Sequence, residues 1–176
     1  MKFRHGRIFR GAAVDAVAIF LICLAMVLPA AHAAVAAPVP IAFAGFGFSD
    51  SSGEAQDQQA VHAARLRRLQ EDVAAGLAKS GKFRVVALSC KTEDCGATDT
   101  EAADLAAEAK TAGADLLLIG GIHKMSTLIM WMKVDVVEVK SGKTVLDKLI
   151  TFRGDNDEAW TRAGEFLLRQ LDEMQK

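Results

Sequence analysis

The chain lacks the short signatures that mark most hydrolases, nucleotide-binding proteins and metalloenzymes. It has no Walker loop, no G-x-S-x-G elbow and no H-E-x-x-H pair. Gly45-Phe46-Gly47 has neither the later glycine nor the following helix of a dinucleotide fingerprint. Beyond the first 33 residues, His62 and His123 are the only histidines, and neither has a nucleophile beside it in sequence. These absences leave no catalytic signature to assign, make an enzyme the least expected reading and imply no cofactor. A basic run and an aromatic-basic surface are also missing, so nucleic acid is a poor partner. Cysteine is scarce, with three in 176 residues. The chain is instead long enough to bury one core without many disulfides or a metal.

What the sequence does have begins with a leader. Lys2, Arg4, Arg7 and Arg10 make a basic start, residues 16–28 (AVAIFLICLAMVL) are a compact apolar run, and Ala31-His32-Ala33 is a small-x-small site. Together they predict a cleaved secretory signal peptide over 1–33. The apolar run is shorter than the roughly 20 residues of a spanning helix, so no transmembrane helix is expected after cleavage. Cys23 has no small residue before it, which disfavours a lipoprotein. Cleavage removes four basic residues and one acidic residue, and the formal charge falls from −1 to −4. Export implies a periplasmic location.

Residues 34–40 read as a loose spacer and 41–176 as a single α/β domain. The apolar run 41–48, bounded by Pro40 and Ser49-Asp50, predicts strand β1, and its Gly45 and Gly47 suggest close approach of a neighbouring element. A polar loop leads to a helix over 59–79, in which Leu66, Leu69, Val73 and Leu77 recur at helical spacing. Residues 83–88 predict β2, and 100–112 an alanine-rich helix. Two β-helix-β units in a row imply parallel strands joined by right-handed crossovers. The pattern then changes. Strands β3 (115–123), β4 (128–138) and β5 (144–152) are separated by segments too short for crossovers, hence an antiparallel meander. A helix over 157–174 closes the chain. The predicted architecture is β-α-β-α-β-β-β-α, a mixed five-stranded sheet of order 2-1-3-4-5 covered by three helices.

Alternation along β4 separates Leu128, Met130, Met132, Val134 and Val136 from Ile129, Trp131, Lys133 and Asp135. The first set is the face expected under helices. The second is half polar, and Trp131, Ile129 and Lys133 on it are the candidate contact for a protein partner.

Cys90 and Cys95 are the clearest covalent feature. Two lone cysteines in an exported chain most simply form a disulfide, worth about 2 kcal/mol in the chain-entropy account. Their C-x4-C spacing is not the C-x-x-C of redox catalysis. A two-residue turn at Ser126-Thr127 would set His123 opposite Met130 and gather His123, Met125, Met130 and Met132 on one side of the hairpin. That donor set suits Cu(I), whereas the plainer reading is a Met-filled core face beside one hydrogen-bonded His. Asp155-Asn156-Asp157-Glu158 lacks the glycine and distal glutamate of an EF-hand and reads as a helix cap. Arg153-Gly154-Asp155 matches an adhesion tripeptide by chance. The loops after β1 and β2 carry Asp50, Glu54, Asp57, Glu93, Asp94 and Asp99 with only Lys91 opposing, an edge that would suit a cation or a basic partner.

At residues 109–122, AKTAGADLLLIGGI, the chain resembles a motif of bacterial envelope proteins in which a helix, Gly-Ala-Asp and a strand ending in Gly follow one another. The motif occurs in the TolB N-terminal domain, the curli secretion protein CsgG and the lipoprotein activators of penicillin-binding proteins. Residues 41–48, 113–128 and the ending FRGDNDEAW (152–160) more closely resemble a family of small exported proteobacterial proteins known only as a domain of unknown function. The likeness implies a periplasmic α/β domain that binds other macromolecules and carries over no catalytic residue. The expected function is a non-catalytic accessory docking another cell-envelope protein. The alternative is a metal- or cation-binding protein that uses the His123/Met hairpin or the acidic loops.

Overall fold

The computed structural model of the chain describes residues 37–89 and 102–175. The predicted leader over 1–33 and the predicted Cys90–Cys95 disulfide lie outside these residues. The elements in order are β1 (Val39–Asp50), α1 (Gln59–Lys79), β2 (Phe83–Val86), α2 (Ala102–Thr111), β3 (Leu116–Lys124), β4 (Ile129–Glu138), β5 (Thr144–Arg153) and α3 (Asp157–Met174). They build one sheet of order 2-1-3-4-5, in which β1 is parallel to β2 and β3, and β4 antiparallel to β3 and β5. This is the architecture that the periodicities predict.

Period-2 alternation gives each strand two faces, and helices cover them unequally. Leu69, Val73 and Leu77 of α1 and Trp160, Ala163, Leu167 and Leu171 of α3 pack on one side, against Ile41, Leu118, Ile122, Met130, Met132, Val134 and Val136. The fully buried β4 residues are the even-numbered set Met130–Val136, as alternation requires. On the other side α2 supplies Leu105 and Ala109, with Ala106 partly buried beside them, and these meet Ala42, Ala44, Ala114 and Leu117. That second cluster is smaller, mostly alanine with Leu105 and Leu117, and lies near β1 and β3. It leaves the β4–β5 half of this face without a helix over it among the described residues.

One break in β1 aims its end at the site. The β1–β3 register slips between Phe43 and Phe46. Gly45 there has φ +80°, a conformation that L side chains rarely adopt, and a Cβ on it would meet Gln70 Oε1 at 2.7 Å. The Gln70 side chain of α1 accepts a hydrogen bond from Phe46 N at 2.6 Å, so a helix side chain satisfies the backbone at the bulge. The close approach expected at Gly45 is thus that of a helix. The extra residue lets Phe43 and Phe46 share the helix-covered face, where their rings meet edge-on at 4.9 Å.

At the opposite end of the chain, Asn156 in extended conformation caps α3 by accepting from Ala159 N at 2.9 Å. Asp157 and Glu158 occupy the first turn, where negative charge suits the helix dipole. Among the described residues no helix is long and apolar enough to cross a membrane.

Candidate functional site: a closed ion cluster and an open sheet face

Two polar regions flank the β3–β4 hairpin, one on each side of the sheet. The first is built on Lys124, the last residue of β3. It shares the parity of Leu118 and Ile122, so it projects into the helix-covered face, where it is 1% exposed. Its ammonium donates to Glu54 Oε2 at 2.7 Å, Asp155 Oδ2 at 2.8 Å and Gln58 Oε1 at 3.1 Å. All three N–H groups of the ammonium are used.

Asp155, in the turn between β5 and α3, is the hub of this cluster. Besides Lys124, its Oδ2 accepts from His62 Nε2 at 2.7 Å, which puts the imidazole hydrogen on that nitrogen. Its Oδ1 accepts from Arg65 Nη1 at 2.8 Å and from the Trp160 indole at 3.3 Å. Arg65 reaches on to Asp157 with its Nε, also at 2.8 Å. His62 is 2% exposed and lies against the Phe48 ring, centroids 4.7 Å apart.

The electrostatics follow from this arrangement. Burial would raise the Asp155 pKa, but hydrogen bonds and charge from His62 and Lys124 outweigh it and hold the carboxyl at about 2. Burial would likewise lower the Lys124 pKa, and its bonds to Asp155 and Glu54 turn the shift upward. The Lys124 bond leads the causes that lower Glu54, with the Thr127 hydroxyl next. A lysine held protonated has no lone pair for Schiff-base or general-base chemistry. What the cluster does is tie together the end of β3, the loop after β1, the start of α1 and the β5–α3 turn.

The acidic edge after β1 is therefore opposed by Lys124, in addition to Lys91 outside the described residues. Glu54 is bonded to it and Asp50 lies 4.0 Å from it. Glu93, Asp94 and Asp99 also lie outside the described residues. Asp155 is buried at the hub, so Arg153-Gly154-Asp155 does not present an exposed aspartate.

The second region is the open face. Trp131 and Lys133 are half-buried on it and Ile129 is 37% exposed, so the three predicted contact residues do share one surface. Leu149 of β5, paired with Lys133, extends it and is 59% exposed. His123 belongs here too. Its Nδ1 lies 2.7 Å from Ser49 Oγ, its Nε2 2.9 Å from Ser51 Oγ, and its ring meets Trp131 edge-on at 5.0 Å.

The expected metal set is not assembled. The hairpin turn is longer than the two residues predicted, with β3 ending at Lys124, β4 starting at Ile129 and Met125 N bonded to Ile129 O. Pairing shifts by one residue, so His123 opposes Trp131 and Lys124 opposes Met130. A one-residue shift moves a side chain through the sheet. His123 now lies on the open face, Met130 and Met132 are buried on the other, and Met125 is 46% exposed in the turn. Among the described residues no group of three or more His, Cys, Asp or Glu is placed to hold a metal ion. The sequence patterns do not predict the cluster around Lys124. The signal for it is the parity of a lysine in step with Leu116, Leu118 and Ile122.

Comparison with known proteins places this fold among bacterial proteins. PelC from Paraburkholderia phytofirmans, described as a dodecamer, superposes with a TM-score of 0.53 at 13% identity, covering 81% of this chain and 91% of that one. The hypothetical protein CT253 from Chlamydia trachomatis gives 0.51 at 9% identity, covering 79% and 98%. TolB from Acinetobacter baumannii gives 0.50 at 17% identity, covering 78% of this chain and 28% of TolB. At these identities the likeness is one of fold, and it includes TolB, whose N-terminal domain the 109–122 motif resembles. No curated protein matches the chain. The family DUF3280, described as "Protein of unknown function (DUF2380)", matches residues 39–171. That span takes in the whole sheet and most of α3, and the chain belongs to this family.

Proposed function

We propose that this protein is a periplasmic, non-catalytic accessory that docks another envelope protein through the open face of β4. The observation that carries the reading is the uneven cover of the sheet. One face is filled by α1 and α3, while the other leaves Ile129, Trp131 and Lys133 accessible beside Leu149. An aromatic ring held by a histidine and flanked by apolar and charged side chains is the composition of a small protein interface. The closed state of the Lys124 cluster supports a non-catalytic role, since its cation and carboxylates already satisfy one another. PelC assembles as a dodecamer, which accords with a fold used for protein–protein contact. Export rests on the leader over 1–33, and a Cys90–Cys95 disulfide suits an oxidising compartment.

Pull-down from periplasm with tagged wild-type and Trp131→Ala proteins tests the docking surface, with circular dichroism confirming that both are folded. The expected result is loss of a partner band with Trp131→Ala. Equal recovery with both proteins removes Trp131 from the interface.

A further inference from the structure

We propose that the groove between β5 and α3 receives an extended, acidic segment of a partner protein as a sixth strand of the sheet. This groove adjoins the Trp131 face at Leu149 and Arg153, but its helical wall and the outer edge of β5 lie beyond that face, and its occupation does not require Trp131.

Among the described residues the sheet ends on β5, which pairs with β4 alone. The other edge, β2, has four residues, whereas β5 has ten. Between β5 and α3 runs a groove of about 480 Å³, and one of its walls is formed by five consecutive strand residues, Leu149 to Arg153. Side chains of a strand alternate between faces, so a wall made of consecutive residues is the strand's backbone edge. Alternate N–H and C=O groups along such an edge have no ladder partner within the sheet, which is the template for strand addition. Ala159 and Ala163 keep the helical wall low, and Phe166, 41% exposed, offers an apolar contact.

Charge decides the occupant. Arg153, Arg162 and Arg169 all line the groove. Arg162 is paired with exposed Glu158, while Arg153 and Arg169 have no ion pair among the described residues. The Arg169 guanidinium lies 5.6 Å from the Phe166 ring centroid, which keeps it at the groove. A second copy of this chain pairing through β5 would bring TVLDKLITFR, with Lys148 and Arg153 against one Asp147, to an already cationic groove. An extended segment in which Asp or Glu alternates with apolar residues fits the arginines, Phe166 and the backbone edge together.

The test is selection of displayed random twelve-residue peptides on the wild-type protein and on an Arg162→Glu/Arg169→Glu variant, followed by fluorescence anisotropy. Both arginines are exposed, and circular dichroism checks that the variant is folded. Wild type is expected to enrich acidic, alternating sequences and the variant basic ones. Methylating the peptide nitrogens that face β5 should weaken binding by roughly tenfold, because backbone hydrogen bonds are removed, while methylating the opposite set should not. Trp131→Ala should bind the selected peptide as wild type does. The proposal is overturned by the same sequences from both proteins, by no enrichment over a blank, or by indifference to methylation. A β5-dependent homodimer that excludes peptide, seen by light scattering, would also overturn it.

Discussion

Lys124 and Lys133 stand on neighbouring strands of one hairpin, and each ammonium is bonded to two carboxylates. Lys124 bonds Glu54 and Asp155, and Lys133 bonds Asp135 at 3.0 Å and also Asp147. Their side chains are 1% and 43% exposed. The chemistry is the same, but the sheet lies between them. A buried ammonium cannot exchange a missing partner for water, so each of its partners becomes part of the fold. The exposed one can, and its pairs are screened by salt. The comparison separates the two roles of charge in this molecule. The Lys124 side closes four segments on one another, and the Lys133 side leaves a surface free to meet a partner.

Removing the hub of the closed side is the strongest way to break this contrast. Asp155→Ala takes the carboxylate from His62 and leaves buried Lys124 with Glu54 and Arg65 with Asp157, and breaking a buried ion pair costs roughly 3–5 kcal/mol. Urea denaturation should show that loss. A loss under about 1 kcal/mol would mean that the cluster is not buried in solution as it is in the structure. A cycle of Lys124→Met, Asp155→Asn and the double variant should show the paired change to be milder than the sum of the single ones.

Acid attacks the same cluster without mutation. The Asp155 pKa is about 2 in the fold against an ordinary 3.8. A carboxyl whose folded value is depressed contributes stability that is fully present above its unfolded pKa. That contribution is lost as pH falls through the folded value. The window therefore runs from about pH 5 down to about pH 2, with a loss of about 2 kcal/mol from this group. Thermal melts across that window should fall more steeply for wild type than for Asp155→Asn. Parallel curves would exclude Asp155 as the acid-sensitive group.

The strand order and helix positions were legible because they rest on local periodicity. The helix-forming spacing of Leu66, Leu69, Val73 and Leu77 and the parity of β4 need no knowledge of the rest of the chain. The turn between β3 and β4 was not legible. Ser126-Thr127 suits a two-residue turn, but the observed turn is anchored from outside, by Gly154 N on Leu128 O at 3.0 Å. That bond comes from the β5–α3 turn, 26 residues away, and it accompanies the register that separates His123 from Met130. The ion cluster was hidden for a similar reason. Lys124 meets Glu54 across 70 residues and Asp155 across 31, while His62 meets Asp155 across 93. A lysine within an apolar run reads as an interruption until its carboxylates are placed. The β4 surface was easier to read, because three residues on alternate positions of one strand define it.

The smallest predicted effect is on the open side, where it sharpens the contrast most. Asp135 and Asp147 are directly paired across β4 and β5, an arrangement of like charges that opposes the ladder. Lys133 bridges both, and its pKa is raised first by the Asp147 bond, then against a desolvation that lowers it, with Asp135 adding to the rise. Lys133→Ala therefore removes weak pairs and also uncovers a repulsion. The loss should be about 0.5 kcal/mol at low salt. It should shrink as ionic strength rises, because surface charges are screened over a Debye length of about 10 Å at 0.1 M salt. Adding Asp147→Asn should restore stability, since the opposed charges are then reduced to one. Urea melts of the four proteins of this cycle at two salt concentrations separate the two effects. A salt-independent loss of several kcal/mol would place Lys133 with Lys124 as a structural charge, and the open face of β4 would no longer be a surface free for a partner.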